Sequence, residues 1–238
     1  MDDQDYLIRE RVATAQQPLL GMTILLVEDS VYASEAMRML CLRSGARIRR
    51  ADCLRSARRH LQVYRPSAAI VDLGLPDGSG IELITEMAAV RPRVPVILAI
   101  SGDEAGGGQA VAAGADEFLE KPVRTLGVFQ NALLKHLPEE HQPLGPRSID
   151  PEEIRPDALS YRDDLTLMSE ILGPGMTAQD LTYAARFLYG IAKSAGDDRL
   201  RDAADKVLSD MRGAGDCLAR AAVLKGLIAD RMASAAPI

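Results

Sequence analysis

From Met22 the chain alternates between short unbroken apolar runs and stretches whose apolar residues recur every three or four positions. Thr23-Ile-Leu-Leu-Val27 is a continuous apolar run ending in Glu28-Asp29, the pattern of a strand buried on both faces. Ser30 is placed to cap the following helix, whose apolar residues fall at Met37, Leu40 and Cys41 before Gly45 stops it. Arg47–Arg50 predicts a short strand, and Leu54, Ala57, Leu61 and Tyr64 a helical stripe ended by Arg65-Pro66. Ala68-Ala-Ile-Val71 predicts a strand that delivers Asp72 at its carboxyl end, with a helix through Ile81, Leu83, Ile84 and Met87 behind it. Val94–Ile100 predicts another strand, closing at Ser101. A glycine-rich loop at Gly106–Gly108 then precedes a small-residue helix through Val111. Asp116–Leu119, Lys121-Pro122 and a helix from Arg124 to Leu137 complete the series.

Strand–helix alternation of this kind implies a parallel sheet covered by helices on both faces, an α/β fold. The run of proline and charge over 139–156 reads as a linker. Beyond it no strand-like alternation occurs. Helices are predicted over about 157–172, 177–195, 198–212 and 215–234, separated by Gly173-Pro174-Gly175, Gly196-Asp197 and Gly213-Ala214-Gly215, so a small four-helix, all-α domain follows. Residues 1–21 read as a polar leader with a short amphipathic helix around Tyr6, Leu7 and Ile8.

Composition narrows the function. A length of 238 residues, 47% hydrophobic content and a mean hydropathy near zero suit an ordinary globular chain of two domains. No stretch approaches ~18 uninterrupted apolar residues, and the acidic MDDQDYLIRE start is the reverse of a secretory signal, so a cytoplasmic location is expected. Cys41, Cys53 and Cys217 have no metal-type spacing, and His60, His136 and His141 suggest neither a zinc site nor a nucleophile's base. Residues 22–138 are near neutral, whereas 150–238 carry about four more acidic than basic residues, against the basic face of a DNA-binding output domain.

The chemistry sits at predicted strand ends. Glu28-Asp29, Asp72, Ser101 and Lys121 all fall at carboxyl ends of strands, where ligand chemistry gathers in open α/β sheets. Taken singly, Glu28 and Asp29 could cap a helix and Asp72 a turn. Together, clustered carboxylates call for a cation, and hard oxygen ligands favour Mg²⁺. A lysine beside them neutralises an incoming phosphoryl group, and a serine hydroxyl hydrogen-bonds it once it arrives. A nucleophilic carboxylate, a metal and charge stabilisation are the requirements of phosphoryl transfer.

These residues lie in Ile24-Leu-Leu-Val-Glu-Asp-Ser30, Ile70-Val-Asp-Leu-Gly-Leu-Pro-Asp-Gly-Ser-Gly80, Ile97–Ser101 and Gly114-Ala-Asp-Glu-Phe-Leu-Glu-Lys-Pro122. In combination they resemble the receiver domain of two-component response regulators over about residues 22–138. The resemblance implies a flavodoxin-like five-stranded sheet and a phosphoryl group drawn from a sensor histidine kinase or histidine phosphotransfer protein. It implies Asp72 as phosphoacceptor, Asp29 and Asp72 as Mg²⁺ ligands with Glu28 acting through water or from behind the direct ligands, and the Gly74 carbonyl completing the set. Lys121 would pair with the phosphoryl oxygens, Ser101 would be the switch hydroxyl and Phe118 the aromatic switch. For Phe118 the alternative is a plain core residue. Such a protein catalyses only its own phosphoryl transfer and dephosphorylation and is otherwise no enzyme; a homodimer is compatible with it.

Arg186-Phe-Leu-Tyr-Gly-Ile-Ala-Lys-Ser-Ala-Gly-Asp-Asp-Arg-Leu200 resembles the core helix pair of histidine phosphotransfer domains through Leu188, Gly190, Ala192, Gly196 and Leu200. The histidine position falls on Arg186, Tyr189 and Ile191 stand at the family's Lys and Ser, and no histidine follows His141. The resemblance implies a degenerate, binding-only bundle that contacts a downstream protein; a generic helical bundle is the alternative. A transcription factor with an unrecognised DNA-binding domain is the second class considered, and an enzymatic output domain the third.

Overall fold

The computed structural model describes residues 13–138, 142–143, 153–211 and 216–234. The expected helix around Tyr6 and the Gly213–Gly215 separator lie outside them. β1 (Thr23–Val27), β2 (Arg47–Ala51), β3 (Ala68–Asp72), β6 (Val96–Ser101) and β7 (Glu117–Glu120) form one parallel sheet in the order β2-β1-β3-β6-β7. Between β3 and the helix after it lies a small antiparallel pair, β4 (Gly74–Leu75) with β5 (Gly78–Ser79), which the sequence pattern did not announce.

Side-chain alternation splits each central strand between two cores. Ile24, Leu26, Ala68, Ile70, Val96, Leu98 and Ile100 face α1 (Val31–Arg43) and α5 (Leu126–Leu134). Leu25, Val27, Ala69, Val71, Ile97 and Ala99 face α2 (Leu54–Val63), α3 (Gly80–Ala89) and α4 (Gly107–Ala112). With helices on both sides, the residues of these strands that the helices cover are all apolar, which is why the runs are unbroken up to the strand ends. β2 lies at the edge and exposes Arg47, Arg49 and Arg50, charges that discourage pairing with another sheet.

The boundaries shift for identifiable reasons. β6 starts after Pro95, which has no N–H to give a ladder. Asp116 stays out of β7 because its carboxylate accepts Ile97 N–H at 2.7 Å and pairs with Arg93 at 3.0 Å. α5 begins at Leu126 because Thr125 caps it. The glycine run is not a loop: Glu104–Gly106 is a 3-10 turn, and Gly107 and Gly108 open a six-residue α4. A Cβ at Gly107 would lie 2.9 Å from the Phe118 ring, so glycine is what lets β7 tuck that ring beneath the helix.

α6 (Ala158–Ile171), α7 (Ala178–Ala195), α8 (Asp198–Asp210) and α9 (Cys217–Ala233) form the helical bundle. Its apolar core holds Leu165, Met168, Leu181, Leu188, Leu200 and Leu224. At one end Asp197 caps α8 through Leu200 N–H, takes two Arg231 nitrogens at 2.6 Å and accepts Tyr161 Oη at 3.2 Å. This is a buried charge with every lone pair occupied, the arrangement under which burial is tolerated.

The two units are in contact. Tyr32 of α1 belongs to the bundle's core and meets Tyr161 edge-to-face at 5.5 Å. Of the stretch expected as a linker, the described end is tied down. Glu153 bridges Thr125, Ile154 N–H donates to Arg124 O at 2.7 Å, and the Ile154 side chain is buried in the receiver-side core.

Candidate functional site

Four strand ends converge on one cavity of about 820 Å³. Glu28 follows β1 and continues its ladder through N–H to Ala51 O; Asp29 comes next, and Ser30 caps α1 by accepting Ala33 N–H at 2.9 Å. Asp72 is the last residue of β3, Ser101 the last of β6, and Lys121 directly follows β7, its N–H bonded to Ser101 O. The Lys121–Pro122 peptide is cis. Gly80 packs so tightly behind Asp72 that a Cβ there would fall 2.0 Å from the Asp72 carbonyl oxygen, a second place where only glycine fits.

The charges are paired closely. Oxygens of Glu28, Asp29 and Asp72 lie within 4.8 Å of one another. The Lys121 ammonium sits 2.6 Å from Glu28 Oε2 and 2.9 Å from Asp72 Oδ2. Burial pushes the Glu28 carboxyl up to about 8, with the Asp72 and Asp29 charges adding to it against Lys121. Burial and the Asp72 charge likewise push Asp29 up to about 6. Lys121 is pulled down by burial, but Asp72 and Glu28 outweigh that and hold it above its ordinary value.

The donor set suits a hard divalent cation. It is all oxygen and concentrates three carboxylates, whose combined charge the single Lys121 ammonium does not balance. Gly74, in β4, lines the same cavity, as does Ser101, whose Oγ accepts Asp103 N–H at 3.1 Å. Phe118 is absent from the cavity wall; it is half-buried behind it, under α4.

The cavity has a second wall that the strand-end reasoning did not include. Tyr183 of α7 donates its hydroxyl to Asp29 Oδ2 at 2.7 Å, and Thr182, Arg186, Tyr189, Gly190 and Lys193 line the cavity opposite the sheet. Asp164 of α6, fully buried, accepts Ser30 Oγ, Val31 N–H and Tyr32 N–H at 2.7, 2.8 and 3.0 Å. One sequence signal existed for Asp164. It falls on the buried stripe of α6 with Tyr161, Leu165 and Met168, an unusual place for a carboxylate. Tyr183 carried none.

Residues 24–132 match the response regulator receiver domain family. The KDP operon transcriptional regulatory protein KdpE of Escherichia coli K12 is 32% identical over 99 residues, covering 42% of this chain and 44% of KdpE. The virulence transcriptional regulatory protein PhoP of Salmonella typhimurium (strain LT2) is 31% identical over 105 residues, covering 42% of this chain and 46% of PhoP. The matched stretch thus spans less than half the length of these curated relatives. A putative response regulator from Chloroflexus aurantiacus is similar with 26% identity and a TM-score of 0.44, over 47% of this chain and 97% of that one. The strand order, the strand-end carboxylates and the family match agree, and the chain carries a response regulator receiver domain over residues 24–132.

Proposed function

We propose that this chain accepts a phosphoryl group on Asp72 from a phosphohistidine of a sensor kinase or phosphotransfer protein and signals through its helical bundle. The observation that carries this is the Lys121 ammonium bridging Asp72 and Glu28 at 2.9 and 2.6 Å, with Asp29 in the same cluster. An Asp72 oxygen attacks phosphorus; the O–P bond forms as the N–P bond breaks, and its electron pair stays with the imidazole nitrogen. Lys121 faces the phosphoryl oxygens as a point charge, and the Ser101 hydroxyl donates to one of them once it has arrived. Glu28, Asp29, Asp72 and the Gly74 carbonyl would hold Mg²⁺, which supplies the positive charge that three clustered carboxylates and a phosphoryl group together require.

The acyl phosphate adds about −1.5 to −2 charge at Asp72. Drawing Ser101 toward it frees room beside β6, and Phe118 on β7 is the ring that can turn into that room, changing the surface of α4, β7 and α5. Asp72→Asn is the test. Labelling by acetyl phosphate with Mg²⁺ is expected to disappear while the far-UV spectrum is unchanged. A full chain still labelled after that change has a different acceptor.

The bundle we read as a protein-binding, histidine-less relative of phosphotransfer domains. Its four helices and the place of Arg186 on the cavity wall opposite the receiver pocket support this. A second reading, DNA binding, is favoured by the names of KdpE and PhoP, although the residues shared with them are those of the receiver. Retention on duplex DNA at low salt, lost steeply as salt rises, would select it.

A further inference from the structure

The α6–α7 face of the bundle makes contacts at several points around Asp72 that neither the bundle's own packing nor the receiver chemistry requires. Tyr183 holds Asp29, beyond β1. α7 packs on β4, which follows β3. Gly190 approaches Gly102, beyond β6, so closely that a Cβ on Gly102 would stand 3.5 Å from the Gly190 Cα. Lys193 donates to Gly102 O at 3.3 Å and pairs with Glu120 at the end of β7. Along α7, residues 183, 190 and 193 therefore meet loops of β1, β6 and β7 in the order in which those strands lie in the sheet. The lengths agree: ten helical residues span ~15 Å, and three strand spacings about 14 Å. Asp72, on β3, lies under this track.

Asp164 fixes the approach. Its buried carboxylate closes the amino-terminal end of α1 from another part of the chain, satisfying Val31 and Tyr32 N–H, while Tyr32 inserts its ring into the bundle core. Anionic groups at helix amino ends are favoured, and these bonds are charge-assisted.

We propose that the α6–α7 face is a docking surface for the phosphoacceptor face of a receiver, engaged here by the chain's own receiver, so that the bundle excludes a protein phosphodonor from Asp72 until it is released. This rests on Asp72 being the acceptor. A donor histidine carried on a protein must reach bonding distance of Asp72, and its supporting helix, ~10 Å across, must then lie where α7 lies. A small donor needs no such space, because the cavity of about 820 Å³ remains beneath α7. Docking therefore sorts donors by size.

The experiment compares two phosphodonors on the full chain: acetyl phosphate with Mg²⁺, and an autophosphorylated histidine-kinase fragment. The variants are Asp164→Asn and, as a chemically unrelated second disruption, Tyr32→Ser. Hydrogen exchange at the backbone amides of positions 31 and 32 reports the docking directly. Expected in both variants are exchange at these amides faster by about tenfold or more, labelling by the protein donor faster by a similar factor, and labelling by acetyl phosphate within about threefold of the parent. Slow labelling by the kinase fragment that neither variant accelerates, with acetyl phosphate labelling intact, overturns the proposal. Amides that already exchange freely in the parent overturn it too. If acetyl phosphate fails to label the parent at all, the acceptor assignment is at fault instead.

Discussion

Replacing Lys121 by methionine removes the cation placed between Asp72 and Glu28 while keeping most of the side chain's volume. At 2.6 and 2.9 Å and an effective dielectric constant of about 20, each contact is worth ~6 kcal/mol of gross attraction. Desolvating a buried ammonium returns several kcal/mol of that, leaving the ~3–5 kcal/mol typical of a buried pair broken on one side. The size of the loss depends on pH, and its sign follows from the carboxyls. Folding raises Glu28 from 4.5 to about 8 and Asp29 from 3.8 to about 6. Between those limits the native state binds protons that the unfolded chain has released, so stability without metal falls as pH rises. Without Lys121 the Glu28 carboxyl loses a charge that lowers it, and the decline steepens. Lys121→Met is expected to cost about 3–5 kcal/mol at pH 8 and about 1–2 kcal/mol at pH 5.5, where protons replace the missing cation. Urea unfolding in EDTA, followed by far-UV circular dichroism at both pH values, measures this. A loss equal at the two pH values, or below about 1 kcal/mol at both, would refute the reasoning.

Two further outcomes are expected. Mg²⁺ must displace the protons that Glu28 and Asp29 retain, so its affinity by titration calorimetry should rise steeply from pH 6 to 8, with proton release that changes with buffer; flat affinity would count against these residues as the ligands. Gly80→Ala, whose Cβ would lie 2.0 Å from the Asp72 carbonyl oxygen, should lose about 3 kcal/mol or more, whereas Gly108→Ala, open on all sides within helix α4, should gain up to ~1 kcal/mol; equal effects in thermal unfolding would contradict the packing described for Asp72.

The receiver was legible because its chemistry and its topology are written in the same places. β1, β3 and β6 are buried on both faces, so they appear as unbroken apolar runs, and the polar residue ending each run is by construction at the sheet's reactive edge. Asp72, Lys121 and the Glu28–Asp29 pair could be placed together without coordinates for that reason. The glycine run reads as a loop in the sequence yet opens α4, because the Phe118 ring pressing on Gly107 leaves no room for a side chain there; tertiary contact overrides glycine's intrinsic cost in a helix. The β4–β5 pair is too short to leave a periodic trace. The bundle's own core was equally readable, since Leu181, Ala184, Ala185 and Leu188 recur at helical spacing. How the bundle would sit on the receiver was not. A helix records its own buried stripe in its sequence, whereas Tyr183 meeting Asp29 is a property of two rigid bodies, separated by 154 positions, and no local pattern encodes it. Asp164 is the partial exception, a carboxylate on an otherwise apolar stripe.

The tie at Ile154 sets the terms of any competition for the pocket. Because that side chain is embedded beside α5, only Arg155 and Pro156 separate the anchored strand-like segment from Asp157, the residue that starts α6. A tether so brief, half of it a proline with fixed φ, keeps the bundle at an effective local concentration in the millimolar range or above. A rival in solution at micromolar levels must therefore bind the same face some thousandfold more tightly to displace it, or else something must first weaken the attachment. Occupancy of the pocket is in this sense set by the length of a leash together with the contacts that Asp164 and Tyr32 make across the interface.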